Sequence, residues 1–158
     1  RTDMKLLSEA SEYALRAVVW CARYPDRTFK VREIAESTRA APGYLAKVLQ
    51  SLAKADILHA QRGSRGGFRL NRDPATLTAL EVIQAVDPIE RIQSCPLESN
   101  ETGMLLCPLH KRIDEVVNAL EKAFADTTIK DLIQQTTTPS AEKSCKRLCS
   151  HHVDQDKQ

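Results

Sequence analysis

Residues 28–70, TFKVREIAESTRAAPGYLAKVLQSLAKADILHAQRGSRGGFRL, decide the fold. Val31, Ile34 and Ala35 recur at helical spacing, and the period resumes at Tyr44, Leu45, Val48, Leu49 and Leu52. That is the pattern of two helices that each bury one face. Between them, Ser37 to Pro42 is small or polar, and Pro42 stands where a second helix tolerates proline, in its first turn. Away from its apolar stripe the second helix carries Lys47, Gln50, Ser51 and Lys54, side chains suited to a major groove. Ile57 and Leu58, then Phe68 and Leu70, flank Arg62-Gly63-Ser64-Arg65-Gly66-Gly67 as strands flank a hairpin turn. The expected fold is mainly α, a winged helix-turn-helix with a small β-hairpin wing.

Two helices at this spacing also serve as plain packing units, so the wing carries the functional argument. Arg62, Arg65 and Arg69 sit on or beside a glycine turn that permits close backbone approach. A core has no use for three guanidinium groups there, whereas a groove-lining or phosphate-contacting wing does. In this reading Tyr44, Lys47, Gln50 and Ser51 face bases or nearby phosphates, with Pro42 and Gly43 opening the same helix. Arg32 and Arg39 support the grip on the backbone. Arg62, Ser64, Arg65, Gly66, Gly67 and Arg69 form the wing, with Arg65 at its tip in or beside the minor groove. Charge follows the same division. Residues 1–75 hold 14 Lys/Arg against 8 Asp/Glu, and residues 76–158 hold 9 against 13, so the basic half is the proposed DNA reader within a net charge of only +2.

Outward from this module, residues 5–24 read as an amphipathic helix with Leu7, Tyr13, Ala14, Ala17, Val18 and Cys21 on one side. Pro25-Asp26 ends it, and Cys21 within the stripe is expected to be a buried, inert thiol. Asn71-Arg72-Asp73-Pro74 is a turn, after which Thr78 and Glu81 have capping-box spacing for a short helix stopped by Asp87-Pro88. The winged domain is thus expected over 4–88. Residues 89–108 lose periodicity and form a candidate sensory or cofactor-binding loop. A long helix then presents Leu109, Ile113, Val116, Leu120 and Phe124 on one face, with Val117 widening the stripe. Residues 109–134 are expected to hold this dimerisation helix and a short terminal helix, because helix-turn-helix proteins commonly read two half-sites as two-fold dimers. Residues 135–158 have no core pattern and read as a flexible tail.

Chain length and a 42% apolar, 28% charged composition suit a globular domain with an appendage. No apolar run approaches the roughly 18 residues of a membrane span and no signal peptide opens the chain, which favours the cytoplasm. Five cysteines argue against a disulfide scaffold and leave metal or redox chemistry open. Cys95, Cys107 and His110 place two thiols and an imidazole in or beside the loop before the long helix. Their spacing is not one of the tight metal patterns, so a metal site, a reversible Cys95–Cys107 disulfide and two plain thiols with a solvated histidine all stand. Cys145, Cys149, His151 and His152 are soft-metal donors in the tail with nothing nearby to anchor them. An enzyme is not expected, since no acid–base set accompanies the cysteines. The alternative without DNA is a winged-helix protein–protein scaffold.

Four stretches together resemble one family of bacterial winged-helix regulators: Ser11-Glu12-Tyr13-Ala14-Leu15-Arg16, Val31-Arg32-Glu33-Ile34-Ala35, Pro42-Gly43-Tyr44-Leu45 with Val48-Leu49, and Arg65-Gly66-Gly67-Phe68. The family includes the iron–sulfur cluster assembly regulator, the nitric-oxide-sensitive repressor and the cysteine metabolism repressor, and the resemblance covers about residues 4–134. It implies a homodimer joined by a long crossed helix, a palindromic double-stranded DNA operator and, in most members, repression. Cluster-binding members have three cysteines before the dimer helix. Cys95 is similar to the first and Cys107 to the third, but Glu101 stands at the middle position. His110 matches a ligand histidine, and Glu12 matches a position from which the partner subunit supplies a carboxylate. The resemblance therefore implies a 2Fe–2S cluster on Cys95, Cys107, His110 and Glu12, a thiol redox switch, or a cofactor-free regulator sensing a metabolite or partner enzyme.

Overall fold

A computed structural model describes residues 6–91 and 107–135. The elements in order are α1 (Glu9–Arg23), α2 (Val31–Thr38), α3 (Pro42–Lys54), β1 (Leu58–Gln61), β2 (Gly67–Leu70), α4 (Ala79–Val86), α5 (Pro108–Ala125) and α6 (Ile129–Gln135). This is the expected mainly helical winged helix-turn-helix with its antiparallel hairpin.

Helix α1 begins four residues later than its apolar pattern suggests, because Ser8 caps it by accepting the Ser11 N–H at 3.2 Å. Its buried face is Ser11, Ala14, Ala17, Val18, Cys21 and Ala22. Helix α2 begins at Val31, at the late end of the Thr28–Lys30 start its sequence suggests, for a tertiary reason. Phe29 exchanges two backbone hydrogen bonds with Phe68 of β2 (2.9 and 2.8 Å), so the chain enters α2 as a third strand position of the wing sheet. Glu33 then accepts the Lys30 N–H at 2.8 Å and starts the helix, and this bond holds its carboxyl below the usual range. Phe29 is buried among Trp20 and Tyr24, with the Arg27 guanidinium 4.7 Å above its ring.

The turn from α2 to α3 contains Arg39 with φ 54°, a left-handed residue of the kind that ends helices. Pro42 occupies the first turn of α3 as anticipated, and Leu45, Val48, Leu49 and Leu52 enter the core. In the hairpin, Leu58 pairs with Leu70 and Ala60 with Phe68, which puts the apolar set on one face. His59 pairs with Arg69 on the other. A Cβ on Gly67 would collide with the Phe29 carbonyl, so close approach of the third strand position demands glycine there.

Two helices start on the same device. Thr78 and Glu81 form the anticipated capping box of α4, and Thr128 and Asp131 repeat it at α6. The two starts are stitched together: Ala79 N–H donates to Thr127 O, Ile129 N–H to Leu77 O and Lys130 N–H to Pro74 O (2.8 to 2.9 Å). Ile129 is thereby fully buried in the core that α1 supplies. The terminal helix thus returns to the winged module, a placement its sequence did not announce. Helix α5 lies between, touching α4 yet holding no fully buried residue.

Candidate nucleic-acid interface and the thiol–imidazole pair

The helix-turn-helix and wing place their polar side chains outward. Lys47 and Gln50 are exposed on α3 and Ser51 is half-buried beside them. Pro42 and Gly43 are exposed in its first turn, where the cap residue Ala41 offers no side-chain acceptor. Arg32 on α2 and Arg39 in the turn are exposed, as are Arg62, Ser64, Arg65 and Arg69 on the wing, while Gly66 and Gly67 are half-buried in its turn.

Ion pairing separates the basic residues into two sets. Arg16, Arg27, Arg72, Arg91 and Arg112 are each held by a carboxylate at 2.6 to 3.4 Å. Arg32, Lys47, Arg62, Arg65 and Arg69 enter no ion pair among the described residues. The cations on the α3 and wing surface are thus among those whose charge is left available for an outside anion, as are Lys111, Lys122 and Lys130 on α5 and α6.

Helix α1 braces this surface, which explains the first of the motifs in physical terms. Ser11 is buried against the cap, and the Tyr13 ring meets Tyr44 edge-on at 5.9 Å. Tyr13 Oη donates to Glu9 at 2.9 Å, and burial, followed by that bond, raises its phenol above the usual value. Arg16 donates to the Thr38 carbonyl at 3.4 Å, at the mouth of the α2–α3 turn. Tyr44 belongs to the apolar period by position, yet it is 41% exposed at the start of α3. Sequence patterning showed α1 only as an amphipathic helix, because the contacts to Thr38 and Tyr44 span 22 and 31 residues.

At the other end, Cys107 caps α5 and its Sγ lies 3.1 Å from Nδ1 of His110, one helical turn on. Both are half-buried. A sulfur at a helix N-terminus beside an imidazole is a donor pair suited to zinc or iron chemistry. Glu12 is paired with Arg16 at 3.4 Å, and no three potential metal ligands converge among the described residues of one chain. Cys95, Glu101, Cys145, Cys149, His151 and His152 lie outside the described residues. Cys21 is fully buried and burial pushes its thiol up to about 12, which fits an inert packing role.

The stripe on α5 divides on contact with its own domain. Leu109, Ile113 and Val116 are 65%, 39% and 66% exposed, whereas Val117, Leu120 and Phe124 are half-buried. Among the described residues, no helix is long and apolar enough to cross a membrane.

Residues 7–135 match the family described as Rrf2, iron-dependent transcriptional regulator. A putative helix-turn-helix transcriptional regulator of Aquifex aeolicus is 32% identical over 131 residues, covering 81% of this chain and 91% of that one. Among solved structures, CymR, the global cysteine regulator of B. subtilis, aligns with a TM-score of 0.68 at 21% identity, covering 84% of this chain and 99% of its own. IscR of T. potens aligns with the same TM-score at 19% identity, covering 84% and 89%.

Proposed function

The chain belongs to the Rrf2 family of transcriptional regulators, DNA-binding proteins and not enzymes, and from that premise we propose that it is a cytoplasmic homodimeric repressor reading a palindromic operator. The observation that carries the reading is the set of exposed cations on α3 and the wing that no carboxylate among the described residues neutralises. Gln50 and Ser51 supply hydrogen-bonding groups on the same helix. The first turn of α3, with Pro42, Gly43 and an apolar cap, leaves backbone N–H groups for a phosphate oxygen. Arg32 and Arg39 add backbone contacts, while Arg62, Ser64, Arg65 and Arg69 follow the adjacent minor groove.

A second copy covers Leu109, Ile113 and Val116. An apolar stripe this exposed on an 18-residue helix is what a two-fold partner buries. Val117, Leu120 and Phe124 line the flank of that contact next to the winged domain.

Activity is set by the chemistry at Cys107 and His110. Together they supply two of the four donors that a 2Fe–2S cluster takes, and Cys95 with a Glu12 carboxylate from the second copy completes the set in this reading. Such a cluster supplies redox and ligand-exchange chemistry when bound. This chain's own contribution is to fix sulfur and imidazole on one helical turn at the entrance to the dimer helix. Glu12, which would hold the cluster, is here paired with Arg16, whose other bond is to the α2–α3 turn. The 3.1 Å sulfur–nitrogen contact equally favours a second reading, a thiol switch in which Cys107 pairs with Cys95.

Two experiments test this. Arg65→Ala should weaken operator binding and reduce the slope of log affinity against log salt by about 0.9, one phosphate's worth of counterion release; an unchanged titration removes the wing from the interface. Anaerobic purification with a visible spectrum and iron, sulfide and zinc analysis tests the cofactor. A colourless, metal-free protein that accepts no reconstituted cluster leaves the thiol switch or a cofactor-free regulator sensing a metabolite or partner enzyme.

A further inference from the structure

Besides its packing against α4, hydrogen bonds among the described residues tie helix α5 to the winged module at two places. The first is the backbone stitch at its C-terminal end, where Thr127, Ile129 and Lys130 bond to Leu77, Ala79 and Pro74. The second is a single side chain. Arg91, three residues beyond the Pro88 that follows α4, reaches across to α5 and closes a fork on Asp114, with Nε to Oδ1 at 2.6 Å and Nη2 to Oδ2 at 2.7 Å. Its remaining nitrogen, Nη1, donates to Asn118 at 3.1 Å and Glu121 at 3.4 Å. Asp114, Asn118 and Glu121 lie one and two turns apart, so the guanidinium grips a ladder along one side of the helix. That side is distinct from the exposed Leu109, Ile113 and Val116 stripe.

A helix stitched at one end and packed along one flank on α4 can still tilt, and a further point of attachment nearer its start restricts that tilt. Asp114 precedes the C-cap Asp126 by 12 residues, about 18 Å along an α-helix. A drift of about 2 Å at that point turns the axis by about 6° and, carried over a half-site separation of about 34 Å, displaces a reading head by about 4 Å. That is close to one base-pair step of about 3.4 Å. The planar fork suits the task because a bidentate guanidinium–carboxylate pair fixes an angle as well as a distance, which an ammonium does not.

Resting on the dimeric, two-headed reading above, we propose that Arg91 is a positioning residue for DNA recognition. Through Asp114, Asn118 and Glu121 it sets the angle between reading head and dimer helix, and thereby the spacing of half-sites the dimer accepts.

The test uses the full chain and a duplex selected by the wild type from a randomised pool. The duplex is resynthesised as a single half-site and as full sites with the spacer matched, one base pair shorter and one longer. Arg91→Ala and the isosteric double variant Asp114→Asn, Glu121→Gln are titrated beside the wild type, with oligomeric state followed by light scattering. Both variants are expected to stay dimeric and to hold the half-site within about twofold of wild type. They should lose about tenfold on the matched full site and discriminate the three spacers by less than about twofold. Retained spacer preference in both variants overturns the clamp, and so does equal loss on half-site and full site, or dissociation to monomer. A wild type indifferent to spacer length overturns the two-headed reading itself, and the clamp with it.

Discussion

Gly67→Ala tests whether the wing is built as a three-stranded unit. Gly67 has φ +155°, and a Cβ there would meet the carbonyl oxygen and carbon of Phe29 at impossible distances, with the Thr28 methyl at 3.1 Å behind them. Backbone cannot yield as a flexible side chain can, so relief requires Phe29 to move off β2. That move breaks both Phe29–Phe68 hydrogen bonds, each worth about 1 kcal/mol net, and the unfavourable φ adds about 1 to 2 kcal/mol. The expected loss is about 3 to 4 kcal/mol, or about 6 to 16 °C in Tm for a chain of this size. Urea unfolding by circular dichroism reads the stability, and an operator titration reads the wing. Gly43→Ala is the control, because a Cβ there meets nothing within 4 Å and alanine favours a helix by up to about 1 kcal/mol. Equal stability of Gly67→Ala and wild type would refute the pairing of residue 29 with the wing.

Acid sensitivity should pass through the capping boxes. Glu81 is held below its ordinary value of 4.5, first by the Thr78 backbone hydrogen bond and then by Arg72, so its contribution is complete above that pH and is lost as acidification carries it through the lower native value. Glu81→Gln keeps a side chain that can cap at this position, so stability measured from pH 6 to 3 should fall less steeply than in wild type. Val116→Asp, at a position 66% exposed in one chain, should shift the sedimentation of a dimer to that of a monomer at micromolar concentration while leaving the thermal midpoint of the winged domain within a few degrees. If it sediments as the wild type does, this stripe is not the interface. Cys21 should resist thiol reagents at pH 8 until the protein unfolds, since burial raises its thiol to about 12; labelling in the native state at the rate of an exposed cysteine would show that the α1 core is open.

Wherever a signal was local, the residues carried it unaided. The period of Leu45, Val48, Leu49 and Leu52, the Pro42 start and the Thr78–Glu81 box each depend on groups within one or two turns, and each stands as read. The wing arginines were legible for a similar reason: charge on a glycine turn has no partner within reach of its own strand. Where the sequence ran out, the partners were distant. Nothing local announced that Phe29 pairs with β2, because its partner Phe68 lies 39 positions away. The short terminal helix from Ile129 was legible, but not that Thr127 and Ile129 bond to Ala79 and Leu77 and bring Ile129 into the core. Arg91 fell in an aperiodic stretch with its carboxylates 23 and 30 residues downstream.

The stretch 28–70 therefore determined by itself what kind of head this protein carries, because helical period, capping and turn chemistry are properties of neighbours along the chain. How that head is held was decided only in three dimensions. The α1 brace on the α2–α3 turn, the return of α6 and the Arg91 grip on α5 all join groups whose approach no local period encodes. Tertiary packing alone sets the angle between the winged head and α5, the helix proposed to meet a second copy, since an angle between elements is fixed by contacts between them.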